Sequence, residues 1–129
     1  MRLLLDTHVL LWAIQDPERL DFDTRDLIEN AANVVLFSAA SLWEIAIKAK
    51  LGRADFAVSP QRVLHAARLT GFEELPVTAD TATRVADLPM HHRDPFDRLL
   101  VAQALAEQVP LYTADPVLRS YSELVRLVR

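Results

Sequence analysis

The chain has no cysteine and only two lysines, and no apolar run in it approaches the roughly 18 residues that cross a bilayer. Without cysteine there is neither a disulfide framework nor a thiolate metal site. The acid in Met1-Arg2-Leu3-Leu4-Leu5-Asp6 interrupts any secretory apolar region, so a cytoplasmic protein without a membrane segment is expected. Net positive charge is missing too. The formal balance is −4, the opposite of the basic footprint usual for nucleic-acid binders. Setting aside four of the eighteen acids, for reasons given below, leaves fourteen against fourteen basic residues, twelve of them Arg. Arg suits forked contacts with phosphate. The composition therefore argues against strong nonspecific attraction to nucleic acid and leaves an RNA substrate open. No repeat, linker or low-complexity tract interrupts the sequence, and residues 1–129 read as one domain around one core. The 51% apolar fraction is high enough that a partner is expected to cover some of it.

Strand and helix signals alternate along the chain. The apolar run Arg2 to Leu5 reads as a buried strand, and Thr7 to Ile14 as a helix ended by Asp16-Pro17. Asp23-Thr24 is expected to cap a helix through about Asn33, before a second strand from Val34 to Phe37. Ala39 to Leu51 is helical, with Gly52 as its stop, and Ser59-Pro60 restarts helix up to Thr70 and Gly71. Glu73 to Val77 reads as an edge strand or extended chain, and Thr78 to Leu88 as helix. A loop over 89–93 precedes a long helix from Asp94-Pro95 to about Gln108, and strands are expected at Leu111 to Thr113 and Leu124 to Val128. This alternation implies an α/β fold, an α/β/α sandwich with a mainly parallel central sheet of four to five strands. Ligands of such sheets bind beyond the carboxyl ends of the strands.

Four acids fall at those ends. Asp6 closes the first strand, Asp115 follows the strand Leu111 to Thr113, and Glu44 and Asp97 are expected near the starts of helices. Each also has a purely structural role open to it. Ser41-Leu42-Trp43-Glu44 matches a capping box, Glu44 is four residues from Lys48, and Asp6 and Asp115 are placed to cap. Asp94 already supplies the cap of the helix that holds Asp97, however, which leaves Asp97 without that role. Carboxylates gathered beside apolar segments are costly to desolvate and raise one another's pKa unless a cation compensates them. A divalent metal with oxygen ligands is the simplest compensation, and such clusters serve metal-assisted phosphodiester hydrolysis.

The residues carrying this pattern also resemble a known family. Leu3-Leu4-Leu5-Asp6-Thr7-His8, Ser38 to Lys48, Asp94-Pro95-Phe96-Asp97-Arg98 through Ala104, and Leu111-Tyr112-Thr113-Ala114-Asp115 resemble PIN-domain proteins, most closely the VapC-type toxins of toxin–antitoxin pairs. The resemblance covers nearly the whole chain, and Asp94 to Ala104 is its most specific segment. It implies a Mg2+- or Mn2+-dependent endoribonuclease, a homodimer, and inhibition by a VapB-like antitoxin. It matches Asp6, Glu44 and Asp97 to the family's three invariant acids and Asp115 to its more variable fourth, all four as catalytic residues and metal ligands. The implied mechanism is in-line attack of a metal-activated water on an RNA phosphodiester. Thr7 and Thr113 would donate hydrogen bonds to water or phosphate, and Arg93 and Arg98 would contact the RNA backbone or remain solvated charges.

Other chemistries fit less well. Aspartyl-phosphate enzymes of the haloacid-dehalogenase type want a second Asp where this chain has His8, and receiver domains want a late lysine, whereas Lys48 and Lys50 lie mid-chain. A PIN-like RNA- or protein-binding module that has lost its metal site would lack acids, and here all four positions are filled. His91-His92 reads as a solvated loop, since adjacent residues rarely ligate one ion and no third ligand accompanies them. Trp12 and Trp43 sit in amphipathic helices and are expected in the core or an interface rather than as base-stacking platforms.

Overall fold

Alternation within the first strand sets the layers. In a strand, successive side chains face opposite sides of the sheet, and in the strand Arg2–Leu5 (β1) Leu3 and Leu5 enter one apolar cluster while Leu4 enters the other. The second strand, Val34–Ser38 (β2), does the same with Val35 and Phe37 against Leu36. Leu3–Leu5 and Val34–Phe37 are continuous apolar runs because both faces of the sheet are covered there, as parallel sheets require. The computed structural model describes residues 1–128; Arg129, the last residue of the expected domain, lies outside them.

Three further strands, Glu73–Leu75 (β3), Leu111–Thr113 (β4) and Val125–Leu127 (β5), complete a five-stranded sheet of order β3-β2-β1-β4-β5. Every pairing is parallel, and Leu5 is in register with Phe37 on one side and Tyr112 on the other. Helices Thr7–Gln15 (α1), Phe22–Glu29 (α2), Ala39–Lys50 (α3) and Pro60–Thr70 (α4) contribute to the cluster on one face, around Val9, Leu10, Ile45, Phe56, Val63 and Ala67. On the other face Leu100, Val101 and Ala104 of helix Pro95–Glu107 (α6) cover Leu4, Leu36 and Leu111; the short helix Ala79–Arg84 (α5) packs against α6. Among the described residues no helix is long and apolar enough to cross a membrane.

The expected elements are present with shifted ends. Asp21, not Asp23, caps α2, accepting the Thr24 N–H and hydroxyl at 3.1 and 2.7 Å. That helix ends at Glu29 rather than near Asn33, because the Asn33 amide donates back to the Leu27 carbonyl at 2.9 Å and folds the chain into a turn. The helix expected to reach Leu88 stops at Arg84 and tightens into a 3-10 turn over Val85–Asp87. Gly71 ends α4 in the left-handed conformation, at φ 93°, with its N–H on the Ala67 and Arg68 carbonyls, a site that favours glycine.

Strand order places the candidate site. The chain leaves β1 towards β2 and β3 on one side and later adds β4 and β5 on the other, so the switch point lies between β1 and β4. Sheets of this kind bind ligands beyond the carboxyl ends of the strands at such a point. Asp6 follows β1 and Asp115 follows β4, one on each side of it.

Candidate metal centre

Asp6 is 4% exposed and holds two fixed donors. As N-cap of α1 it accepts the Val9 N–H on Oδ1 at 2.9 Å, and the Thr113 hydroxyl donates to Oδ2. Thr113 is fully buried, and its oxygen also accepts the Asp115 N–H at 3.0 Å, so one hydroxyl sets the spacing of two of the acids. Burial dominates the Asp6 carboxyl and raises it to about 6 even though both donors lower it.

Glu44 is reached differently from the expectation. Ser38 caps α3 through the Ala40 N–H at 3.0 Å, so the capping box from Ser41 does not form and Glu44 falls in the second turn. It points inward at 2% exposure. Its Oε1 accepts the Thr7 hydroxyl at 2.6 Å and its Oε2 the Lys48 ammonium at 2.5 Å. The Thr7 hydroxyl also lies 3.0 Å from that of Ser41. Thr7 and Thr113, expected to donate to water or phosphate, instead donate to acids.

Asp97 stands in the first turn of α6, whose N-cap Asp94 accepts the Phe96 and Asp97 N–H groups at 2.8 and 3.3 Å. Its carboxyl is pushed up to about 7, by burial first and then by the charges of Asp94, Asp6 and Glu44, with His92 acting the other way. Asp115 caps the 3-10 turn Pro116–Ser120 through the Val117 N–H at 3.0 Å.

His92 corrects the expectation of a solvated loop. Its Nε2 lies 2.8 Å from Asp115 Oδ2 and 3.5 Å from Asp97 Oδ2, and these three groups offer ligand atoms within 4.8 Å of one another. The Asp94 N–H donates to Nδ1 at 3.0 Å, which assigns the ring proton to Nε2. In this arrangement His92 is a hydrogen-bond donor that holds Asp115. The sequence signal was available only in part: the His-x-Asp spacing is visible, but not the return of Asp115 from β4.

Arg98 is also corrected. It is 7% exposed and faces inward, away from any RNA backbone. Nη1 donates to the Pro89 carbonyl at 2.9 Å, the Tyr121 hydroxyl at 3.1 Å and the His92 carbonyl at 3.5 Å; Nη2 donates to the Val85 and Leu88 carbonyls at 3.0 and 3.3 Å. Tyr121 accepts the His92 N–H as well, at 2.9 Å. Together they pin the loop that presents His92 and Asp94. Arg93, in the same loop, is exposed. Trp43 is 62% exposed and meets Phe96 edge-on with ring centroids 5.3 Å apart, whereas Trp12 packs half-buried on the core under Arg19.

The donor set fits a hard divalent cation. Asp6, Asp97 and Asp115 offer oxygen ligands, and burial, with added repulsion from neighbouring carboxylates, holds Asp6 and Asp97 well above the usual carboxylate range. In the folded chain these two carboxyls keep protons at pH values where the unfolded chain, with carboxyls near their ordinary 3.8, has released them. The folded state then binds more protons, so metal-free stability falls as pH rises from about 4 to about 7. Melting curves without metal are expected to drop by roughly 10 °C or more over that window, and saturating Mg2+ to remove the drop. A metal-free melting temperature that rises from pH 5 to 7 would contradict the assignment.

Thr113→Val is expected to lower divalent-ion affinity about 10- to 100-fold near neutral pH. The change removes the donor that lowers the Asp6 pKa and frees the Asp115 N–H. Calorimetric titration at pH 6.5 and 8 checks this, with the larger deficit expected at 6.5.

The chain is similar to known proteins in sequence and in fold. The sequence model of the PIN domain matches residues 3–124. A ribonuclease of Mycobacterium tuberculosis, VapC22, is 32% identical over 123 residues, covering 92% of this chain and 90% of its own. Two solved structures share the fold. One is VapBC2 from Rickettsia felis bound to a DNA fragment from their promoter, with TM-score 0.73, 18% identity and full coverage of both chains. The other is VapBC-5 from Mycobacterium tuberculosis, with TM-score 0.59, 21% identity and coverage of 99% and 98%.

Proposed function

We propose, taking as premise that this chain belongs to the PIN domain family, that it is a metal-dependent endoribonuclease acting as the toxin of a toxin–antitoxin pair. The observation that carries this is geometric: Asp97 and Asp115 converge on His92 Nε2, at 3.5 and 2.8 Å, with ligand atoms of all three within 4.8 Å of one another, beyond the carboxyl ends of the strands that Asp6 and Asp115 follow. The curated relative at 32% identity is a ribonuclease by name.

Asp6, Asp97 and Asp115 would hold the ion, Mg2+ or Mn2+, with Glu44 behind them. When bound, such an ion lowers the pKa of a water and offsets charge on phosphate oxygens. The chain's own part is preorganisation. Thr113 and the Val9 N–H fix both oxygens of Asp6, and His92 Nε2–H and the Val117 N–H fix Asp115. Asp97 would serve the ion as its carboxylate, in the first turn of α6. Arg93, exposed on the loop that carries His92 and Asp94, would meet an RNA phosphate.

The partners follow from the same reading: an RNA substrate in the cytoplasm, a VapB-like antitoxin, and a second copy of this chain. The exposed apolar groups Trp43, Leu51, Leu69 and Met90 are consistent with surfaces that an antitoxin helix or a second copy covers.

Attack by water, rather than by the neighbouring 2′-hydroxyl, has a chemical test. Fragments are expected to end in a 3′-hydroxyl and a 5′-phosphate, and a 2′-deoxy substitution at the mapped cut site should leave cleavage in place. Cyclic phosphate ends, or complete loss of cutting at the deoxy site, would exclude this mechanism.

A further inference from the structure

Lys48 is one of two lysines in the chain, and its side chain is buried to 16% exposure among the acids. Its Nζ lies 2.5 Å from Glu44 Oε2 and 3.5 Å from Asp94 Oδ2, so it joins α3 to the cap of α6. The rings of Phe56 and Phe96 lie 5.0 and 5.9 Å from the same nitrogen. Two carboxylates and two aromatic faces make a box for a compact cation.

Glu44 is thereby already satisfied. Its other oxygen takes the Thr7 hydroxyl, so neither oxygen waits for a partner. Asp97 differs, since among the described residues the one nitrogen its carboxylate pairs with is His92 Nε2, at 3.5 Å. The positive charge supplied by the chain is therefore concentrated at the Glu44–Asp94 end, and the deficit at Asp97 and Asp6.

We propose that Lys48 is the resident second cation of this centre: its ammonium takes the position between Glu44 and Asp94, the chain binds a single divalent ion through Asp6, Asp97 and Asp115, and Glu44 is a positioning residue rather than a ligand. This rests on the reading of the acids as a metal site and adds a stoichiometry to it. A compact ammonium suits the role better than a planar guanidinium, in a chain where twelve of the fourteen basic residues are Arg.

Counting ions decides the matter without reference to cleavage. The purified, antitoxin-free chain is titrated with Mn2+ by calorimetry, and the bound ions are examined by electron paramagnetic resonance. Wild type is expected to bind one ion per chain with an uncoupled Mn2+ spectrum. Lys48→Arg keeps the charge and should stay at one. Lys48→Met, or Lys48→Gln if the first does not fold, should bind two and show spin coupling between neighbouring ions. Two ions in wild type would overturn the proposal and leave the metal reading standing, as would a count of one in the neutral variants. No ion bound by wild type would overturn both.

Discussion

Asp97→Asn is expected to abolish metal-dependent cleavage, by about a thousandfold or more, while making the metal-free chain more stable. The two effects share one cause. Asp97 is the acid most poorly served by its surroundings, raised to about 7 by burial and by three neighbouring carboxylates. Asparagine keeps the shape and the first-turn position in α6 but carries no charge to repel Asp6, Asp94 and Glu44. Its amide also remains within reach of His92 Nε2, 3.5 Å from the present carboxylate. The metal-free variant should therefore melt several degrees above wild type at pH 7, and its decline between pH 4 and 7 should be shallower. Mg2+ should raise its melting temperature much less than that of wild type. A variant that loses activity and stability together would show instead that Asp97 is a structural cap.

The second large effect is at Arg98, and it concerns stability first. Replacing it with Met strands the carbonyls of Val85, Leu88, Pro89 and His92 and removes a donor to the Tyr121 hydroxyl. Leaving several part-buried acceptors short of their donor, together with the lost packing of a buried side chain, costs about 3 kcal/mol, enough to lower the melting temperature by roughly 10 °C. Lysine would recover only part of this, since it cannot fork between two sets of carbonyls. Activity should fall as well, because the loop that Arg98 and Tyr121 hold carries His92 and Asp94. By contrast Arg93→Ala, on the exposed side of that loop, should melt like wild type. Chemical denaturation of the three variants in parallel separates a bracket from an RNA contact.

Arg98 also shows where sequence reasoning stops. Arginine one residue after an acid, at a helix start, reads as a solvated charge, and nothing local says that the preceding loop folds back over it. The expected loop over residues 89–93 was correct in place, yet its carbonyls point at the guanidinium only because α5 and the 3-10 turn after it bring Val85 and Leu88 alongside. His92 failed for the same reason, since its partner Asp115 lies 23 residues on, across a strand. The readable features were those with a local cause. The apolar run of β1 ending in Asp6, the Asp94-Pro95 start of α6 and the Gly71 stop of α4 each depend on a few neighbours. The i to i+4 pair of Glu44 and Lys48 was legible too, whereas the contact from Lys48 to Asp94 needed α3 and α6 packed together. The sheet's parallel character followed from alternation of elements, and its strand order from none of the local signals.

The most direct test of the account is incubation of total cellular RNA with the purified chain, freed of any bound antitoxin, in Mg2+, in Mn2+ and in EDTA. Asp6→Asn runs alongside, its fold confirmed by circular dichroism. The account predicts discrete fragments with either metal, intact RNA with EDTA, and intact RNA with the variant. Undiminished cutting in EDTA or by Asp6→Asn, or RNA bound tightly and left whole in every lane, would contradict it.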